Sequence, residues 1–297
     1  FEKVMKSEMY VIDKIYWLLE DCRRYGTLPF AGAARCGFVA MQLLNSLVEA
    51  DVLSQDEYNG FLESLETVSK RLQSDLWRFK NGDMTRNDLL AEYGHLRPGT
   101  YDILSPRYDA DLERYFALDN LSEPEPCAPF SLSASKEEVI NELLAASGVD
   151  TTAQHLFEFF KEAIEGREYC KFVFSRNVSR ALEEIISLGK RYNLSSDDLS
   201  HLDVRLLLNQ YASLSHTTLE TLIRDNIQQN KAQYSLGQVL KLPQVIFSSA
   251  DIDEFCLTSG RPNFIGKQRI SGEAVTLDDS DAELESRIIC IPSADPG

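Results

Sequence analysis

The spacing of apolar positions changes character twice along this chain. Over its first 92 residues apolar side chains recur every three or four positions, the period of a helix with one buried face. Met5, Met9, Ile12, Ile15, Tyr16 and Leu19 form the first such stripe. Thr27–Phe30 reads as a break, with Pro29 suited to open a second helix carrying Phe38, Val39, Leu43, Leu44 and Leu47. Ser54–Glu57 has the spacing of a capping box and predicts a third helix running through Trp77. Asn81–Asp83 ends it, and Thr85–Asp88 starts a short fourth. Ser122–Ser135 holds three prolines and no helical period, so it reads as a linker.

Helical spacing then resumes. Ser135–Glu138 is a second capping pattern, and Thr151–Tyr192 carries a long stripe that includes Phe157, Phe160, Phe172, Phe174 and Ile185, with Gly166 as a local weak point. Ser195 and Thr217 open two further helices. Beyond Pro243 the period shortens. Short β-branched or aromatic runs, "QVIFSS", "EFCLTSG", "AVTLDD" and "RIICIPS", are separated by polar turns and predict strands. The expected fold is mainly α: a multi-helix domain with a small strand-rich C-terminal segment. Its expected divisions are a helical region 1–121, a linker 122–134, a second helical region 135–243 and a strand-rich segment 244–297.

Composition is globular, with 43% hydrophobic and 26% charged residues. The net charge of −17 argues against nucleic acid and against an anionic membrane surface, both of which are bound through clustered cations. No apolar run in the plain sequence reaches the roughly 20 residues of a membrane helix. The six cysteines show no paired spacing, which suggests buried, reduced thiols and a cytoplasmic protein. The first residue is Phe1 and no leader pattern follows it, so the sequence reads as a piece of a longer chain.

Candidate chemistry gathers in two stretches. "YGHLRPGTYDILSPRYD", Tyr93–Asp109, contains His95, Arg97, Tyr101, Asp102 and Arg107 among prolines and glycines. Either guanidinium is suited to grip a carboxylate or phosphate through two donors, and His95 titrates near neutrality when unperturbed. The same groups equally suit a network of ion pairs, with Asp102 and Asp109 as partners, pinning a long loop. The second stretch is Gly166–Arg180, where Arg167 and Lys171 lie on one helical line and Arg176 and Arg180 on another. An anionic ligand or an acidic domain would fit this face, as would salt bridges to Glu168, Glu183 and Glu184. His155, His201 and His216 stand alone, without metal-ligand spacing. No phosphate-cradling loop, nucleophile elbow or dinucleotide fingerprint is present.

The Tyr93–Asp109 stretch resembles a segment of phosphoenolpyruvate-synthase-like phosphotransferases, the group that includes pyruvate phosphate dikinase relatives and rifampicin phosphotransferase. Gly94, His95, Pro98, Gly99, Asp102, Pro106, Arg107 and Tyr108 match its pattern. Three further stretches, in order, are similar to the same group: "LPFAGAARCGFVA" from Leu28, "REYCKFVFSRNVSRALEEI" from Arg167 and "RPNFIGKQRISGEAVTLDD" from Arg261. The final "IICIPSADPG" is similar to the opening of the swivelling phosphohistidine domain.

The resemblance implies the central acceptor-binding and linker region of an ATP-dependent phosphotransferase. ATP and Mg would serve the longer protein, and the phosphorylated histidine would lie outside this chain, which alone would be inactive. The partners implied are the ATP-grasp and phosphohistidine domains of the same polypeptide and a small-molecule phosphoryl acceptor. Arg97, Tyr101, Asp102, Arg107, Arg167, Lys171 and Arg176 are the implied substrate-binding positions, and His95 is the candidate to orient or deprotonate an acceptor hydroxyl. The alternative is a helical scaffold or interaction module without catalysis.

Overall fold

The computed structural model describes residues 1–118, 121–124, 129–209, 217–239, 246, 248–249, 271–276 and 287–290. The fold is mainly helical, as expected, with two short strands near the C-terminus. One helix organises it. α9, Ala153–Arg191, spans about 58 Å at 1.5 Å per residue. Thr152 caps its first turn by accepting from the His155 amide, and Lys190 and Arg191 stand at the negative end of its dipole. It runs through Gly166 without interruption.

Against α9 lies a second long helical run, Val11–Glu49. It consists of α2 (Val11–Asp21), a π-helical segment (Cys22–Thr27) and α3 (Leu28–Glu49). The two runs are antiparallel. Ile15 shares a cluster with Ile185, Gly26 sits on Phe174, and Leu44 shares a cluster with Phe160. The expected break at Thr27–Phe30 is therefore absent. Pro29 falls in the first turn of α3, and the π segment just before it carries the chain through where Pro29 has no N–H to give. This continuity also corrects the reading of apolar runs. Val11–Glu49 is long and apolar enough, by length and composition, to cross a membrane, a test that core helices also pass.

Close approach at the π segment depends on Gly26. A Cβ there would stand 2.6 Å from Phe174 Cβ. Elsewhere apolar clusters hang along α9. At its N-terminal end Phe61 meets Phe157 edge-on at 5.2 Å, with Leu44, Ile140 and Phe160 around them. Midway, Phe172 packs with Leu76, Leu89, Tyr93 and Leu112. At the far end Ile185 and Leu188 pack with Ile15, Leu199, Leu207, Ile223 and Ile227. Both expected helical regions thus contribute to shared cores. The linker takes part as well, since Phe130 stacks on Phe157 at 5.6 Å.

Several boundaries differ from expectation for identifiable reasons. The first stripe is split into α1 (Glu2–Met5) and α2, with Lys6–Tyr10 between them. The third helix is two: α4 (Gln55–Ser64), opened by the Ser54–Glu57 capping box, and α5 (Val68–Lys80). Between them buried Leu65 is extended, and Thr67 caps anew by accepting from the Lys70 amide. α6 (Arg86–Tyr93) is capped by Thr85 as its sequence implies. A one-turn α7 follows at Leu112–Tyr115. α8 (Ala134–Ala146) starts from Ser133, earlier than the capping pattern at Ser135 suggests. α10 (Ser196–Ser200) has the Ser195 capping box, α11 is Arg205–Leu208, and α12 is Leu219–Val239.

β1 (Ala274–Thr276) and β2 (Ile288–Cys290) pair in parallel, Ala274 opposite Ile288, within the "AVTLDD" and "RIICIPS" runs. "QVIFSS" and "EFCLTSG" fall largely outside the described residues. Of the cysteines, Cys22 is buried, Cys170 half-buried, and Cys36 and Cys290 exposed. This corrects the expectation of mostly buried thiols; Cys127 and Cys256 lie outside the described residues.

Two glycines on the long helices make opposite predictions. Gly26→Ala drives a methyl into Phe174 and is expected to cost about 1–3 kcal/mol. Gly166→Ala meets nothing within 4 Å and is expected to gain about 0.5–1 kcal/mol. Urea denaturation of both variants checks the pair.

Candidate functional site

The Tyr93–Asp109 stretch forms a loop whose two ends are tied together. The Asp109 amide donates to Gly94 O at 3.1 Å and the Tyr108 amide to Leu96 O at 2.8 Å. Gly94 is required at this closure, because a Cβ there would stand 2.9 Å from Asp109 Cβ. The far side is stiffened by a turn. Gly99 has φ +26°, the Asp102 amide donates to Gly99 O at 2.9 Å, and Asp102 Oδ1 accepts from the Leu104 amide at 2.8 Å. Tyr115 Oη donates to Pro106 O at 2.9 Å, bracing the loop from α7.

Two of its side chains are sunk into the protein against α9. Arg97 is 6% exposed. Its Nη1 donates to Asp102 O at 3.2 Å and Ser105 O at 3.0 Å, inside the loop. Its Nη2 reaches Glu183 Oε1 at 2.8 Å and Ser179 Oγ at 3.3 Å, on α9. The ion-pair partner of Arg97 is therefore Glu183, and Asp102 serves through its backbone carbonyl. Burial holds the guanidinium below its usual pKa while Glu183 opposes that shift. Its Nε–H has no acceptor among the described residues.

His95 is also buried. Its Nε2 lies 3.1 Å from Phe172 O, and its ring packs 4.9 Å from the Phe172 ring. A carbonyl accepts only, so Nε2 carries the proton and donates. Desolvation lowers the His95 pKa to about 4, with Arg176 and Arg107 pushing in the same direction. The imidazole is neutral at pH 7, with Nε2 engaged by main chain.

The remaining candidates lie at or near the surface. Arg107 is bridged to Asp109 by Nε at 3.0 Å and by Nη2. Tyr101 and Leu104 are exposed on the loop's outer edge, at 64% and 49%. Arg176 pairs with Glu92 Oε2 at 3.2 Å and covers the Phe172 ring at 5.3 Å, beside the loop's entry. Arg180 pairs with Glu184, a turn further on. Arg167 is directed elsewhere. It lies against Gly37 and over the Phe38 ring at 5.9 Å. Lys171 is half-buried on α9. The structure thus gathers His95, Arg97, Arg107 and Arg176 into one neighbourhood and leaves Arg167 facing α3.

Phe172 and Ser179 escaped the sequence reading. Nothing local marks Phe172 as the backbone acceptor for a histidine 77 positions away. Glu183 was visible as a salt-bridge partner but carried no sign of which arginine it serves. Of the lone histidines, His155 and His201 lie on or beside helices, and His216 is outside the described residues. Among the described residues no group of three His, Cys, Asp or Glu side chains is placed to hold a metal ion. Comparison with family models, curated proteins and solved structures finds no match to this chain.

Two outcomes follow from these bonds. Arg97→Ala strands Glu183 and several carbonyls and is expected to cost about 2–3 kcal/mol, whereas Arg107→Ala, losing a half-buried pair to the exposed Asp109, is expected to cost less, about 1 kcal/mol. Chemical denaturation at pH 7 compares them.

The second concerns acid. Unfolded His95 titrates near 6.5 and folded His95 near 4, so between those values the unfolded chain holds more protons. Stability is then fully present above pH 6.5 and falls as the pH drops toward 4, by up to about 1.4 kcal/mol per pH unit. His95→Gln keeps a donor for Phe172 O and is expected to flatten the slope between pH 6.5 and 5. That window lies above the ordinary carboxylate range, and Glu20 and Glu57 are held lower still, at about 2, by hydrogen bonds from Arg23 and Lys136.

Proposed function

We propose that the chain is the central helical region of a phosphoenolpyruvate-synthase-like phosphotransferase, and that its Gly94–Asp109 loop is the fixed surface on which phosphoryl acceptor and swivelling phosphohistidine domain meet. One observation carries the reading. The loop that bears the family-like pattern is tied at its ends and bolted to α9 through Arg97 and His95, so exposed Tyr101 and Leu104 and half-buried Arg107 are held in a set geometry. A transfer site needs groups that do not reorganise as charge moves. Arg107 and Arg176 are the cations available to a phosphoryl group, each needing only to exchange a partly exposed carboxylate for it.

In this reading Arg97 and His95 are positioning residues and touch neither donor nor acceptor. ATP and Mg act on the histidine domain of the longer polypeptide, outside the described residues. The second reading, a helical scaffold without catalysis, is favoured by the pairing of Arg97, Arg107, Arg176 and Arg180 with carboxylates of the chain itself.

The longer protein, incubated with ATP and Mg against a panel of acceptors, is expected to release AMP beyond one equivalent per histidine only when an acceptor is present. Arg107→Ala is expected to lower acceptor phosphorylation by about tenfold or more while leaving histidine phosphorylation intact. Undiminished transfer in that variant overturns the loop's part in the site. Absence of AMP release with every acceptor, together with binding of the isolated histidine domain, selects the scaffold.

A further inference from the structure

A cavity of about 360 Å³ opens between the π segment and α9, apart from the loop. Its size falls in the range of small-molecule sites, roughly 300–1,000 Å³. Local geometry explains why it exists. The wider π turn displaces the chain at Cys22–Thr27, and the missing side chain of Gly26 lets Phe174 close the floor. The walls are apolar, and the rim carries aromatic and aliphatic surface that the fold leaves in water. Tyr25 is 77% exposed, Tyr169 52% and Val173 43%. Large apolar groups exposed together around a concavity mark a binding surface.

One charge is built into this wall. Asp21, the last residue of α2, is the only charged side chain lining the cavity among the described residues. Its contact is the Phe1 nitrogen at 3.9 Å, a long contact between two partly exposed groups, and in a longer chain that nitrogen belongs to an uncharged peptide bond. Such a pair is weak and readily exchanged. Among the described residues no Lys or Arg side chain lines the cavity, though Phe1, with its nitrogen near Asp21, does, and the chain's net charge of −17 disfavours anions overall. Tyr169 already holds a cation over its ring, with Arg71 at 5.8 Å from the centroid. Asn177 adds a directional polar group; its Nδ2 donates to Leu18 O at 3.3 Å, which leaves Oδ1 as an acceptor.

We propose that this cavity is a binding site for a small aromatic cation, an amine carried on an aromatic body. The ring enters between Gly26 and Phe174, and the ammonium rests on Asp21 beside the Tyr25 face. An apolar wall, one carboxylate and rim tyrosines are together the chemistry that recognises such a ligand. The assignment does not depend on the phosphotransferase reading, because none of Arg97, Arg107 or Arg176 lines the cavity.

Phenethylamine is the probe, with 2-phenylethanol as its uncharged match and phenylacetate as its anionic one. Titration calorimetry on the full chain is expected to rank phenethylamine first and phenylacetate last. Asp21→Asn is expected to weaken phenethylamine by about tenfold and leave 2-phenylethanol unchanged. Tyr25→Ala, at a position too exposed to unfold the chain, is expected to weaken the amine as well, and Val173→Trp to exclude both ligands. No saturable binding of phenethylamine, phenylacetate binding as tightly, or indifference of the amine to Asp21→Asn overturns the proposal. Unchanged circular dichroism in each variant assigns any loss to the site.

Discussion

The antiparallel contact between α9 and the Val11–Glu49 run is the constraint on which everything else rests. A helix of 39 residues gains little from propensity alone; it persists because its sides are buried. Ile15, Leu18, Leu44 and Phe160 are fully buried along this contact. Each such side chain contributes about 1.5–3 kcal/mol by leaving water. With that axis in place, α4, α5, α8, α10 and α12 add to its flanks through clusters that each include α9 or the helices on it.

The Gly94–Asp109 loop borrows its rigidity from the same axis. Burying a guanidinium costs several kcal/mol unless its donors are met and its charge balanced. Arg97 meets that condition at every nitrogen but Nε, with oxygen atoms from two sources: Asp102 and Ser105 inside the loop, Ser179 and Glu183 on α9. The loop and the helix are thereby made interdependent. If the loop shifts, a charge is left in the interior; if α9 shifts, the loop loses its anchor. His95 adds a second tie, and because its burial, with Arg176 and Arg107 nearby, disfavours the imidazolium, the clasp is acid-sensitive and firm at neutral pH.

Most of the helical architecture could be read from the order of apolar and capping residues, because those signals act within a few positions. The Ser54, Thr85, Thr152 and Ser195 caps are local in this sense, and each marks a helix start in the structure. The split at Leu65 was hidden, because the apolar stripe continues across it and only Thr67 announces the second helix. The continuity at Thr27–Phe30 was hidden for the opposite reason: Gly26 and Pro29 look like punctuation but serve packing and a helix's first turn. At the candidate site the loop itself was legible from its Gly, Pro, Arg and Asp content. The identity of each partner was not, since Glu183, Ser179 and Phe172 are brought to the loop only by tertiary folding.

The π segment is where local rules and the global fold disagree most. A regular α-helix from Val11 to Glu49 would leave Tyr25 O without its usual donor, because Pro29 has no N–H. Cys22–Thr27 departs from it. The departure allows the Gly26–Phe174 contact, but it also leaves a cavity beside that contact and sets Tyr25 out in solvent. For folding alone, a larger residue filling the cavity and a polar residue at Tyr25 would serve better. Local choices that work against stability in one place are the ground on which a binding site is proposed there. That reasoning separates two regions of this molecule. The Gly94–Asp109 loop departs from regular structure yet satisfies nearly all its buried polar groups, as a positioning element must. The π segment leaves concave apolar surface unfilled beside one carboxylate, the feature on which the proposed amine site rests.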